Sequence, residues 1–290
     1  MRAAGDTRTP MFMAVASVVL VVALAHLFIN VLGMGPMGSA YAQAITWLLG
    51  MAAMLVILWR GTAGLAISGG PWRLTLTTIR RIFAISAPSA AESATFSFGL
   101  LSLSAFVFRL GTDQVAAHQI VGQIETFSFF PCIGFASAAS SLVGQALGMR
   151  DQGRAMSAGW ASARMALVWS TIAGLTFVIA PMVWLGLFTG ASGVIVAGAG
   201  ALAVIGIGQP AQAAIFALGG ALRGAGDTRY PLMASLVNWF VVRLPLAYVL
   251  AFPLGLGLTG IWTAVTVDYF VRAALLAWRF RSGAWARVRV

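Results

Sequence analysis

Seven acidic residues stand in a chain of 290, and three of them, Glu92, Glu125 and Asp268, fall inside long apolar runs. A carboxylate at the centre of an apolar helix costs about 2.5–3.5 kcal/mol on membrane-insertion scales, so it must face a cavity or a partner. There it can bind Na⁺ or take a proton. Glu92, in "SAPSAAESATF", lies one helical turn after Pro88, and the proline leaves a nearby backbone carbonyl without its usual donor. A carboxylate beside such a carbonyl makes a cation site; the alternative is a glutamate satisfied by Ser89, Ser93 or an arginine. Glu125, in "GQIETFSFFP", has Gln123, Phe127, Phe129 and Phe130 close by. Charge and cation–π attraction there suit an organic cation, unless those rings face lipid or core. Asp268, in "VTVDYFVRAA", has Arg272 at i+4, so an intrahelical ion pair competes with a substrate-binding role. Gln209 and Gln212 flank Pro210 in "GIGQPAQAAIF" and can line a cavity or bond between helices. Arg243, in "NWFVVRLPLAY", needs a counter-charge and is read, with Arg272, as the structural partner of a buried acid. His118 and His26 are read as hydrogen-bonded structural residues, although histidine titrates in a range useful to a proton carrier.

These side chains need elements to hold them. Apolar residues make up 60% of the chain and charged residues 9%, with a mean hydropathy of +0.92. A soluble domain carries about a quarter charged residues, so this chain could not cover its surface with polar groups. Repeated runs of about twenty apolar residues predict helices that cross a bilayer. Eight are expected, at about 10–32, 38–59, 82–110, 115–148, 165–188, 194–222, 231–252 and 258–279. The third, fourth and sixth exceed what a bilayer needs and should tilt, kink or project. Pro88, Pro131, Pro181, Pro210 and Pro245 lie within spans and can bend them. Gly/Ala faces such as "AGAGALAVIGIG" suit close helix packing in lipid. The fold class is therefore all-α, a polytopic membrane protein. The lone Cys132 excludes an internal disulfide and a cysteine-cluster metal site.

The net charge of +11 could suggest nucleic acid, but the placement of the arginines decides otherwise. Alternate connections hold Arg2, Arg8, Arg60, Arg73, Arg80, Arg81, Arg150, Arg154, Arg223, Arg229, Arg279, Arg281, Arg287 and Arg289. The connections between them hold none. This positive-inside pattern puts both termini in the cytoplasm and the chain in the cell membrane, with the lipid bilayer as partner and no nucleic acid.

The chain also repeats itself. "RAAGDTRTP" at 2–10 returns as "RGAGDTRYP" at 223–231, 221 positions later. Glycine permits the helix stop, Asp or Thr can cap the next helix, and proline fits its first turn. The aspartate can also hold a flanking arginine. Such a corner can be structural only, or serve as a latch. An even number of spans separates the copies, so the repeat is parallel, as in transporters built of two similar halves. Residues 82–290 form a complete six-helix lobe, 61–81 a cytoplasmic linker, and 1–60 the last two helices of a first lobe. Four further helices, supplied by a longer chain, would complete that first lobe. No zinc, phosphate-loop or Ser-His-Asp pattern appears, so no enzyme is expected.

"SAPSAAESATFSFGLL", "LGTDQVAAHQI", "SLVGQALG" and "ALRGAGDTRYP", in that order, resemble the multidrug and toxic compound extrusion (MATE) transporters over nearly the whole chain. The resemblance implies two six-helix lobes around a cavity, exchanging Na⁺ or H⁺ for organic cations or drugs by alternating access, with no other cofactor. In the family a glutamate on the helix of "PSAAES" is the coupling or substrate-charge residue, and the match carries that role onto Glu92. The start departs from the family, which has four helices before the first copy of the repeat. Two alternatives stand beside export. One is a flippase for a lipid-linked saccharide, which would need several cationic residues in the cavity where only Arg243 is clearly mid-span. The other is a non-transporting fragment or membrane interaction subunit.

Overall fold

The computed structural model describes residues 6, 8–61 and 75–287, apart from the side chains of Arg81, Ile85 and Arg287. Arg2, Thr7, Arg73, Arg289 and most of the expected linker lie outside the described residues. Among the described residues the secondary structure is helical throughout, with α1 (Arg8–His26), α2 (Pro36–Arg60), α3 (Leu76–Val107), α4 (Thr112–Gly148), α5 (Gln152–Ile179), α6 (Pro181–Gly186), α7 (Ser192–Gly224), α8 (Arg229–Val237), α9 (Leu244–Ala251) and α10 (Gly257–Arg281). Eight helical runs are long and apolar enough to cross a membrane, the longest being Thr112–Gly148 at 37 residues. Two compact units divide between Leu74 and Thr75.

In the first unit α1 passes through a π-helical turn, Leu27–Val31, and α2 returns alongside it. Its helix limits repeat in the second unit, although its π-helical turn does not. The starts of α1 and α8, the starts of α2 and α10, and the ends of α2 and α10 are all the same distance apart (229 − 8, 257 − 36 and 281 − 60 are each 221). The caps repeat as well. Asp6 Oδ1 accepts from the Thr9 N–H at 3.0 Å, and Asp227 Oδ1 accepts from the Tyr230 N–H at 3.4 Å, the equivalent pair. Local chemistry thus recurs with the sequence. The second copy differs from expectation in its ion pairing, because Asp227 holds Arg279 of α10 at 2.8 Å and neither arginine of its own phrase.

Three boundaries also differ. Leu76–Arg81 is helix rather than linker, with Thr75 accepting a cap bond from the Thr78 N–H. The fifth span begins thirteen residues before the expected Met165, because "QGRAMSAGWASAR" is helical in spite of two arginines. Asp151 caps its start by accepting from the Arg154 N–H at 2.8 Å. Ala155, Gly159, Ser162 and Ala163 then face the core, while Arg154 and Arg164 stay on the exposed side. Pro181 ends this span and opens α6, so it breaks the span where a bend was expected.

The second unit is organised around α7, which packs against α4, α5 and α10. Small residues make this possible. A Cβ on Gly220 would stand 2.3 Å from the Ala136 carbonyl oxygen, and one on Gly224 would stand 2.2 Å from that of Ser140. The α4 and α7 backbones therefore touch directly, the arrangement by which helices associate where no hydrophobic effect drives them together. The helix α3 stands apart from this group and packs on α8 and α9. Its Gly99 receives the Trp239 ring, which sits where a Cβ would be. Between α8 and α9 the chain runs as a π-helix over Asn238–Arg243, just ahead of Pro245. The proline has no N–H to give the preceding turn, and the wider turn relieves that loss while bringing Trp239 and Arg243 inward.

Gly220→Val forces α4 and α7 apart and should cost about 1–3 kcal/mol or more. The expected readout is a lower unfolding temperature in detergent. Gly134→Ala, with nothing within 4 Å of the added Cβ, should leave that temperature unchanged.

Candidate functional site

A cavity of about 720 Å³ opens within the second unit, between α3 on one side and α4, α7 and α10 on the other. That volume is in the range of drug-sized ligand sites. Ser89, Glu92, Ser93, Phe96 and Ser97 supply the α3 wall, one face of a helix at three- and four-residue spacing. Phe129, Phe216 and Tyr269 give the opposite side an aromatic lining, and Trp239 lines the cavity beside α3.

Three charged groupings stand in and around the cavity. Glu92 bridges two arginines, Arg223 Nη1 at 3.1 Å and Arg272 Nη2 at 2.7 Å. The bridge crosses from α3 to α7 and α10. Glu125 Oε1 accepts from Gln212 Nε2 at 2.7 Å and from the Tyr269 hydroxyl at 2.9 Å. Arg243 lines the cavity with its guanidinium 4.1 Å from the Trp239 ring centroid and pairs with Asp268. Asp268 is almost fully buried and does not line the cavity.

The expected site residues are thus partly gathered and partly separated. Glu92, Glu125 and Gln212 line the cavity together. Gln123 is exposed, because it sits two residues before Glu125 on the opposite side of α4. Phe127 and Phe130 are exposed too, and of that aromatic run Phe129 faces inward, against Phe216 at 5.3 Å. Gln209 is fully buried beside α7's own backbone and lies off the cavity. The i+4 pair of Asp268 with Arg272 does not form: Asp268 takes Arg243 and Arg272 takes Glu92. The tertiary partners win because each offers a charge that would otherwise be buried alone. His118 packs on Trp262 at 5.3 Å, and His26 meets Asn30 within its own helix.

Two residues that bond the cavity's carboxylates escaped notice in the sequence. Arg223 opens the second copy of the repeated phrase and counts among the positive-inside arginines, yet its side chain turns into the cavity. Tyr269, next to Asp268, carried no signal beyond its hydroxyl. The cavity consequently holds three arginines where a single mid-span arginine was expected.

Comparison with known proteins agrees with this architecture. Residues 88–249, which contain α4, α5 and α7 whole, match the MatE family model. The chain belongs to the MatE family. That family is one of multi-pass membrane transporters and not of enzymes. A "Probable multidrug resistance protein NorM" of Thermotoga maritima is 27% identical over 99% of this chain and 62% of its own length. One of Bradyrhizobium diazoefficiens is 30% identical over 97% of this chain and 62% of its own length. The chain therefore spans about three-fifths of the length of these curated relatives. A crystal structure of MATE in complex with MaL6 superposes with a TM-score of 0.89 at 21% identity, covering 98% of this chain and 65% of that one, a likeness of fold.

Arg243→Met alone would leave Asp268 buried without a counter-charge, at a cost of about 3–5 kcal/mol. Adding Asp268→Leu should restore most of the lost stability. Unfolding curves of the unaltered chain and both variants in one detergent check this.

Proposed function

We propose that this chain carries the ligand cavity of a secondary active exporter of amphiphilic, drug-like molecules, organic cations among them, driven by inward movement of H⁺ or Na⁺. One observation carries the reading: Glu92 on α3 reaches across the cavity to guanidinium groups on α7 and α10. A proton or Na⁺ arriving at Glu92 would weaken that bridge and let the α3 wall part from α7 and α10. Ion binding is thereby tied to the width of the cavity, which is what alternating access requires. Na⁺ would meet the carboxylate only in exchange for a guanidinium. Glu125 contributes the second carboxylate, flanked by Gln212, and faces aromatic rings that favour a ligand cation. Asp268 and Arg243 hold the wall behind it.

The three cavity arginines favour a second reading, the flippase for a lipid-linked saccharide, since guanidinium groups suit a pyrophosphate. Glu92 weighs against it, because a carboxylate between two of those arginines would repel the phosphates. A non-transporting membrane fragment is the third reading.

Cells loaded with ethidium and expressing the chain should clear the dye, and Glu92→Gln should abolish clearance at equal membrane expression. Unchanged efflux in Glu92→Gln removes Glu92 from coupling, and no efflux from the unaltered chain supports the fragment reading. The arginine pattern further supports a cell-membrane protein with both termini facing the cytoplasm. Green fluorescent protein fused after Val290 should then fluoresce, and alkaline phosphatase fused there should be inactive.

A further inference from the structure

The two acids that hold cavity arginines use their oxygens unequally. Glu92 uses both, Oε2 on Arg223 and Oε1 on Arg272. Asp268 uses one: Oδ2 pairs with Arg243, and Oδ1 is buried with no hydrogen-bond partner among the described residues. Asp268 is 1% exposed, so that oxygen has given up water without compensation. A donor in the same condition stands close by. Arg272 follows Asp268 by four residues on α10, one turn along the same face, and its Nε is buried without a partner as well. The two nevertheless stay apart, because Arg272 reaches across the cavity to α3.

Arg272 therefore has two carboxylates within its range. With Glu92 ionised it takes Glu92, since Asp268 already holds Arg243. A proton or Na⁺ on Glu92 removes that charge and frees both arginines. Arg223 can then turn to water, because its side chain is 35% exposed. The Arg272 side chain is 15% exposed and would be left as a buried, unpaired charge. Asp268 Oδ1 offers it a partner one turn away, and Asp before Arg at this spacing is a favourable helical pair. Asp268 would then stand as Glu92 did, one carboxylate between two guanidinium groups. Glu125, the other cavity acid, belongs to α4 and already takes bonds from Gln212 and Tyr269.

We infer that Arg272 is a switch arm with two positions, Glu92 and Asp268, and that Asp268 is the positioning residue that sets how readily α3 is released. The inference rests on the ionic closure proposed above and deepens it. Breaking a buried ion pair is most unfavourable when the freed charge has no other partner. Here the arm exchanges one carboxylate for another, and the released state is stabilised accordingly. The exchange is also selective. The hold of α10 on α3 is lost, while Arg243 keeps α10 tied to the π-helical segment.

Double electron–electron resonance between spin labels on α3 and α10 reads their separation. The full chain in lipid nanodiscs carries Cys132→Ser, and the labels sit on Phe83→Cys and Trp278→Cys, two exposed positions. Glu92→Gln stands in for the ion-bound carboxyl group and is expected to populate a longer distance. In that background Arg243→Met with Asp268→Leu removes the second position and leaves neither of those two charges unpaired. The ratio of longer to shorter distance should then fall about tenfold. Asp268→Glu keeps a carboxylate for both arginines and should keep the longer distance. An unchanged ratio in the paired variant overturns the inference and leaves ionic closure standing. A change of distance by the pair with Glu92 intact marks a merely structural role and overturns it too. Absence of a longer distance in Glu92→Gln overturns ionic closure and this inference together. Should the paired variant fail to fold, a structure of Glu92→Gln decides. Arg272 on Asp268 Oδ1 upholds the inference, and Arg272 still at position 92, on Glu125 or free in the cavity overturns it.

Discussion

An ionised side chain inside a bilayer is stable only where another charge, a hydrogen-bond donor or water reaches it, and the second unit is arranged around that constraint. The bridge from Glu92 to Arg223 and Arg272 is the clearest consequence. It joins α3 to α7 and α10 across a cavity, through side chains alone. Where the backbones of α4 and α7 meet directly, separation would cost packing along whole helical faces. Where a carboxylate and two guanidinium groups meet, a single proton or cation changes the balance. Across the cavity, α3 is tied to α7 and α10 by charge.

The scaffold behind that wall works by a different rule. Gly220 and Gly224 let α7 lie against the backbone of α4, and Gly159 accepts the Phe280 ring of α10. These contacts are close and involve no ionised group. The π-helical segment at Asn238–Arg243 links the two regimes, because its extra backbone width places Trp239 on Gly99 and turns Arg243 toward Asp268. Rigid packing on one side and ionic closure on the other leave one cavity with opposite charges at separate places.

Much of the fold was legible in the sequence because membrane helices announce themselves by length and apolarity. Seven of the eight spans could be placed to within a few residues at one end at least, and the fifth failed at its start because two arginines masked a helix whose other face is small and apolar. The repeat was legible for the same local reason, since Asp6 and Asp227 cap the helices that follow them through bonds made within four residues. Glu92, Glu125 and Gln212 line the cavity. Gln123 and Gln209 do not, because neighbours in sequence point to different sides of a helix, and a short window does not reveal which side is open.

The sequence by itself determined that the chain is helical and membrane-spanning, that its corner phrase repeats, and that its interior acids need partners. Hydropathy, capping and the cost of buried charge are properties of single segments, and they act wherever those segments end up. Only the tertiary structure decided which charge met which. The i+4 neighbour of Asp268 was the obvious partner, yet Arg272 crosses to Glu92 and Asp268 takes Arg243. Pairing depends on distances of a few ångströms between helices far apart in the chain, and packing fixes those distances.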